Sequence, residues 1–383
     1  MMKMKVLLIT LGLVLVLGAC SHETFRQPSG NSDYQISFPI LTSLQKNGWT
    51  PSADTIKWMK NWQGIDLEQT NVYSLPKLSG SSSVNLKIRK VDATDPSASK
   101  AMGIFLAPNS SGNPTAELAY FNMSAILGWD SIVRPAARYE LGPKASQEFL
   151  ALIQAGPISA DQRNNADNII KLINAGPPLQ GCLKAEKDKT AGDVDSMCDP
   201  KLGTNGGPNF TSPVIASLQT SNPAPVHGTS LEVIPGYTGD AFQLALEYSV
   251  VMTLDAIFQQ DDRYSGGNIG IRKDASGQTH FYASDNGGAY LQDDSSKVTT
   301  NLSWFSRYDR NSINELRKID DFLAHPGKEY LGYNDPVKFV TDLGFYFETD
   351  PAVSTTRLQR NIEMLLNRVD SFKTATGNPA YLN

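Results

Sequence analysis

The chain has 383 residues, 40% of them hydrophobic, enough for one large domain or two lobes. Its 39 acidic and 34 basic residues leave a net charge of −5 with no basic block, which argues against a nucleic-acid partner. Three cysteines and four scattered histidines (His22, His227, His280 and His325) argue against a zinc centre.

Met1-Met2-Lys3-Met4-Lys5 precedes the apolar run VLLITLGLVLVLGA and then Cys20. Two early lysines, a short apolar run and small residues before the break make a secretory signal. The run falls short of the roughly 20 residues that span a bilayer. Leu17–Cys20 (LGAC) resembles a bacterial lipobox, which implies that the cysteine is lipidated and becomes the first mature residue. The expectation is a signal over residues 1–19, lipidation at Cys20 and a polar tether over 20–35. The chain would then be held on the cell envelope, at the outer membrane of a Gram-negative cell.

SADTIKWMKNWQGI carries a helix cap and the helical spacing Ile56, Met59, Trp62. A small-residue turn, Ser79–Ser83, leads into a strand alternating Val84, Leu86, Ile88 against Asn85, Lys87, Arg89. KAMGIFLAP is a second strand, stopped by Pro108. The stretch around Thr115–Gly128 is a helix that Thr115 can cap, with Glu117 in its first turn. SIVRPAARYEL is a further short strand, and two helical segments lie within 144–175. Residues 177–228 are rich in Pro, Gly, Asn and Ser and hold Cys182 and Cys198, which reads as an insertion or elaborate loop closed by a disulfide in an exported chain. DAFQLALEYSVVMTLDAIF is the longest apolar helix, buried on most sides. After it the chain is mainly helical.

Two acidic clusters flank a short hairpin: QQDDRYSGGNIGI at 259–271 and FYASDNGGAYL at 281–291. Without a cation, Asp261, Asp262 and Asp285 would repel one another by about 1–4 kcal/mol per close pair. Hard oxygen donors beside glycines suit magnesium, which keeps water and phosphate among its ligands.

DDRYSGGN, SDNGG and the order of elements before them resemble the protein-kinase-like superfamily in its atypical branch. That branch includes the phosphatidylinositol-kinase-like, HipA-type and four-jointed-like secretory enzymes. The resemblance runs from about Leu78 to Tyr290, interrupted by the insertion. It implies an α+β, bilobal kinase-like fold: a small mixed lobe over 36–235, with the insertion at about 144–228, and a helical lobe over 236–383. It implies ATP with Mg²⁺ or Mn²⁺ in the cleft, Asp262 as catalytic carboxylate, and Asn268 and Asp285 as metal ligands. Gly80, Ser81 and Ser82 would cover the phosphates, and Glu117 would pair with a lysine. Three positions depart from the pattern. Asn268 lies one residue further from the aspartate than is usual, Tyr264 stands where a histidine is common, and Leu106 and Ala107 occupy the place of the strand lysine. Lys87 or Lys100 would then serve the phosphates. The partners expected are a nucleotide, an acceptor bearing a hydroxyl and the membrane. Two other readings stay open: an inactive kinase-like lipoprotein acting as a scaffold, and a surface lipoprotein whose acidic turns bind calcium.

Overall fold

The computed structural model describes residues 36–383 except 64, 70–72, 75–83, 92–93, 96–98, 109–112, 177, 187–202, 205–206, 261, 265–267, 275, 290, 292, 295, 347–349 and 377–379. The expected signal and tether, Cys20, the turn with Gly80, Ser81 and Ser82, Asp261 and Cys198 lie outside the described residues.

Two short helices open the fold, α1 (Pro39–Lys46) and α2 (Ala53–Trp62). Ser52 caps α2 by accepting the Thr55 N–H at 3.3 Å, and Trp58, Met59 and Trp62 form its buried face. The chain continues through β1 (Tyr73–Ser74), β2 (Asn85–Lys90), β3 (Lys100–Leu106), α3 (Pro114–Ile126) and β4 (Ala136–Leu141). Helices α4 (Pro143–Ala155) and α5 (Ala160–Asn174) lead to β5 (Leu179–Lys184). The five strands form one antiparallel sheet in the order β1-β2-β3-β5-β4.

β5 falls inside the stretch whose composition reads as a loop. It is instead an inner strand between β3 and β4. Its side chains are almost continuously buried, so it shows no alternation, and its Pro- and Gly-rich flanks hide it. Gly181 is required there: a Cβ would lie 2.3 Å from the Phe105 ring.

Residues directly opposite one another on antiparallel strands share a face. Lys87, Ile104, Lys184 and Ala136 therefore form one row across β2, β3, β5 and β4. The next row, Leu86, Phe105, Leu183 and Ala137, points to the other face and is fully buried. Phe149 of α4 meets Phe105 edge-on at 6.4 Å, and the Trp62 indole donates to Met102 O at 2.6 Å. Burial of such side chains contributes about 1.5–3 kcal/mol each.

The remaining elements are β6 (Gly203–Thr204), β7 (Gly207–Pro208), α6 (Pro213–Ser217), the hairpin β8 (Ser230–Ile234)–β9 (Tyr237–Asp240), and α7 (Ala241–Phe258). The hairpin β10 (Ile269–Lys273)–β11 (Thr279–Ala283) follows, then α8 (Ser296–Trp304), α9 (Arg310–Ala324), α10 (Pro336–Leu343) and α11 (Pro351–Thr376). α7 is apolar enough to cross a membrane by length and composition, but it is buried by the elements around it. The expected α+β, two-lobed architecture is met: a sheet part and a mainly helical part. α3 packs on β4 and β5 on one side and on α7 and α10 on the other, so it sits at their junction.

Candidate active site

Glu117 lies in the first turn of α3, after a cap in which Asn113 accepts the Thr115 N–H at 3.0 Å. Its carboxylate is buried and pairs with Lys184 Nζ at the end of β5. This is the lysine that the reading of β3 did not find. It comes from the neighbouring strand, directly opposite Ile104, and so presents its ammonium on the face that a lysine at Ile104 would have used. The signal was hidden because β5 read as loop.

Glu117 also receives two bonds from Asn286, the residue after Asp285. The Asn286 backbone N–H donates to Oε1 at 3.1 Å and its Nδ2 to Oε2 at 3.1 Å. Asn286 Oδ1 in turn accepts from Arg263 Nη2 at 2.9 Å. The Arg263 guanidinium forks onto Asp255 of α7, with Nη2 at 2.7 Å from Oδ1 and Nε at 2.9 Å from Oδ2. Tyr120 OH donates to the same Asp255 Oδ1 at 2.9 Å, which closes the circuit on α3. Glu117 and Tyr120 are three residues apart, hence on one side of the helix. The ring Glu117–Asn286–Arg263–Asp255–Tyr120 is buried throughout. Burial alone would drive the Arg263 proton off, but Asp255 outweighs it and holds the guanidinium above its ordinary pKa. Burial and Asp255 raise the Tyr120 phenol, so it stays a donor.

Arg263 also sets the two acidic loops side by side. Its Nη1 donates to the carbonyls of Asn268 and Ser284, the latter at 2.9 Å. Ser284 N–H donates to Asn268 O at 2.9 Å, and Gln260 Nε2 donates to Asp285 O at 3.1 Å. Asn268 Nδ2 bonds Asp262 O at 2.6 Å and Asp262 Oδ2 at 3.2 Å, which leaves its Oδ1 as the acceptor suited to a hard cation. Asp262 and Asp285 carry exposed side chains, and Asp285 is held at φ 49°, in the left-handed region that a non-glycine residue enters at a cost. The expected set Asp262, Asn268 and Asp285 is thus brought together on adjoining loops.

The donors expected for a cation, the Asp285 carboxylate and Asn268 Oδ1, are hard oxygens that fit a divalent ion retaining phosphate and water. Among the described residues no group of three or more His, Cys, Asp or Glu side chains is arranged to hold a metal. Asn85, on the face that carries Lys184, keeps a buried Oδ1 without a hydrogen-bond donor, an atom suited to a ligand N–H or O–H.

Lys87 stands in the Lys184 row, two strands away on the same face. Lys100 does not: its Nζ donates to Asn61 Oδ1 at 2.7 Å, toward α2. Cys182 is a free thiol buried inside the sheet, opposite Leu106 and Arg138, rather than one end of a disulfide-closed polar loop. Burial, with the nearby Glu117 charge, pushes this thiol well above the ordinary range, so it is a packed core group and not a reactive one.

The sequence matches no protein-family model and no curated protein. Among solved structures it is similar to a hydra Fam20 determined with sugar, at 12% identity over 82% of this chain and 89% of that one, with a TM-score of 0.49. It is similar to the Golgi casein kinase at 11% identity over 90% and 85%, TM-score 0.49. It is similar to the same kinase with Mn/ADP bound at 12% identity over 91% and 92%, TM-score 0.48. Similarity at this level leaves the chemistry of the site to its own geometry.

Proposed function

We propose that the chain is a kinase-like, nucleotide-binding phosphotransferase that moves the terminal phosphoryl group of ATP to a hydroxyl of a protein, sugar or lipid. The observation that carries this reading is the buried Lys184–Glu117–Asn286 chain, joined through Arg263 to the loops bearing Asp262, Asn268 and Asp285. Phosphoryl transfer needs charge neutralisation at the phosphates, fixed metal-binding oxygens and a carboxylate at the acceptor, all in one place. Lys184, oriented by Glu117, meets the phosphates. Asn268 and Asp285 would hold Mg²⁺ or Mn²⁺, which supplies charge neutralisation when bound. Asp262 orients the acceptor hydroxyl and takes its proton as the oxygen bonds to the terminal phosphorus and the bond to ADP breaks. The inactive-scaffold reading drew on a missing lysine; the Lys184–Glu117 pair supports the active reading over it.

Calorimetric titration of the full chain with ATP in Mg²⁺, Mn²⁺, Ca²⁺ or EDTA tests the reading. Binding should require Mg²⁺ or Mn²⁺ and fall at least about tenfold in Asp285→Ala, the loss of one charge-assisted metal contact. Calcium binding without nucleotide binding, in folded protein, would sink it. We propose further that lipidated Cys20 anchors the protein to the envelope, on the support of the LGAC motif. The mass of the mature N-terminus should include acyl chains, and an unmodified Cys20 would overturn the anchor.

A further inference from the structure

A second, small cleft, of about 50 Å³, opens at the same junction beyond the end of the β4–β5 ladder. Its walls include Trp58 of α2, Arg134 before β4, Glu186 after β5, and Arg272 and Tyr282 of the β10–β11 hairpin. None of Glu117, Lys184, Asp262, Asn268, Asp285 or Asn286 lines it.

Arg272 is already satisfied, paired with Asp54 and donating to Ser131 O at 2.8 Å. Two other walls are not. The ladder pairs Ala136 with Lys184, and the Ala185 N–H then donates to Pro135 O at 2.9 Å. Just past that last bond, Arg134 and Glu186 both line the cleft. Glu186 nevertheless keeps Oε1 buried with no hydrogen-bond partner. Arg134 donates to Ser284 Oγ at 3.1 Å and stands 5.8 Å from the centre of the Tyr282 ring, with no carboxylate in ion-pair reach among the described residues. A buried carboxylate oxygen without a donor carries a desolvation cost, and the half-buried Arg134 guanidinium has no anion beside it among the described residues. A ligand bearing both charges would supply both partners.

We propose that this cleft binds a small zwitterion of the α-amino-acid class. Its ammonium meets Glu186, its carboxylate takes the forked donors of Arg134, and its side chain lies against Trp58 and Tyr282. Arg134 also holds Ser284, the neighbour of Asp285, so an occupant is felt at the loop that carries the proposed cation ligand. The site stands independently of the phosphotransfer reading.

Thermal unfolding of the full chain with each standard L-amino acid tests it, beside ethylamine and propionate as ligands carrying one charge each. At least one amino acid should raise Tm by about 2–4 °C at saturation, and the single-charge compounds should not. Glu186→Gln and Arg134→Gln should each abolish the shift. Neither side chain carries a ladder bond, so both variants should retain the wild-type circular dichroism. No shift with any amino acid, a shift that survives in either folded variant, or competition by ATP with Mg²⁺ would overturn the proposal.

Discussion

Glu117 is buried but not isolated: Lys184 supplies charge and Asn286 two N–H donors. A carboxylate so placed is tolerable only because its oxygens are satisfied, since removing one partner of a buried pair costs about 3–5 kcal/mol. Another buried acid, Glu247 of α7, works differently. It accepts the Phe281 N–H at 2.8 Å and lies 2.7 Å from His280 Nδ1. Its hydrogen bond to His280 raises the imidazole pKa, against the opposing effect of burial and with help from Asp274. A raised folded-state pKa means that stability is fully present below the unfolded value of about 6.5 and is lost as pH rises through the folded value. Asp274, pulled down to about 2 chiefly by Ser276, stays ionised across that window and does not obscure it. The urea midpoint should therefore fall as pH increases from about 6 to 8, and Glu247→Gln should flatten the profile. A wild-type midpoint that does not change with pH would refute the assignment.

At the level of elements, α3 is fixed by the helical part. Asn122 Nδ2 donates to Leu343 O at 2.8 Å, and the chain turns at Gly344 with φ 153° directly against the helix. A Cβ at Gly344 would lie 2.7 Å from Ala119 N and 2.8 Å from Thr115 O. Both contacts are backbone, so α3 itself must move. Gly344→Ala should destabilise the protein by about 1–3 kcal/mol in urea titration, through overpacking and backbone strain. It should also weaken ATP binding, because Glu117 sits on the displaced turn. Wild-type stability together with wild-type affinity would show that the contact is slack.

Across the whole molecule, the polar ring joins four parts of the chain: α3, α7, the loop of Arg263 and the loop of Asn286. Tyr120 and Asn286 do not bond to each other, yet both reach Arg263 or its partner Asp255. If the ring behaves as a unit, Tyr120→Phe and Asn286→Leu should be non-additive by about 0.5–3 kcal/mol in a double-mutant cycle read by urea unfolding. Additivity within error would show two independent local contacts. Such a ring carries the position of Lys184 and Glu117 to the loops of Asp262 and Asp285 without a moving part.

Much of the helical part was legible along the chain. α7 is apolar for a full helix length, and Ser52 and the acidic hairpin flanks carry local turn and cap chemistry that does not depend on distant partners. Asp262, Asn268 and Asp285 could be named because they lie within one short stretch of sequence, where spacing limits geometry. Lys184 could not: its role follows from strand register across β3 and β5, and its strand, buried on both sides, shows no alternation. Asn286, Arg263, Asp255 and Tyr120 were equally silent, since residues far apart in sequence become a ring only when two lobes close on α3. Cys182 misled for the same reason, as its polar neighbours in sequence are not its neighbours in space. The sequence alone determined which short segments carry acid, amide and apolar runs. Tertiary packing decided which lysine meets Glu117, because burial makes an unpaired charge costly and only the folded sheet brings its partner within reach.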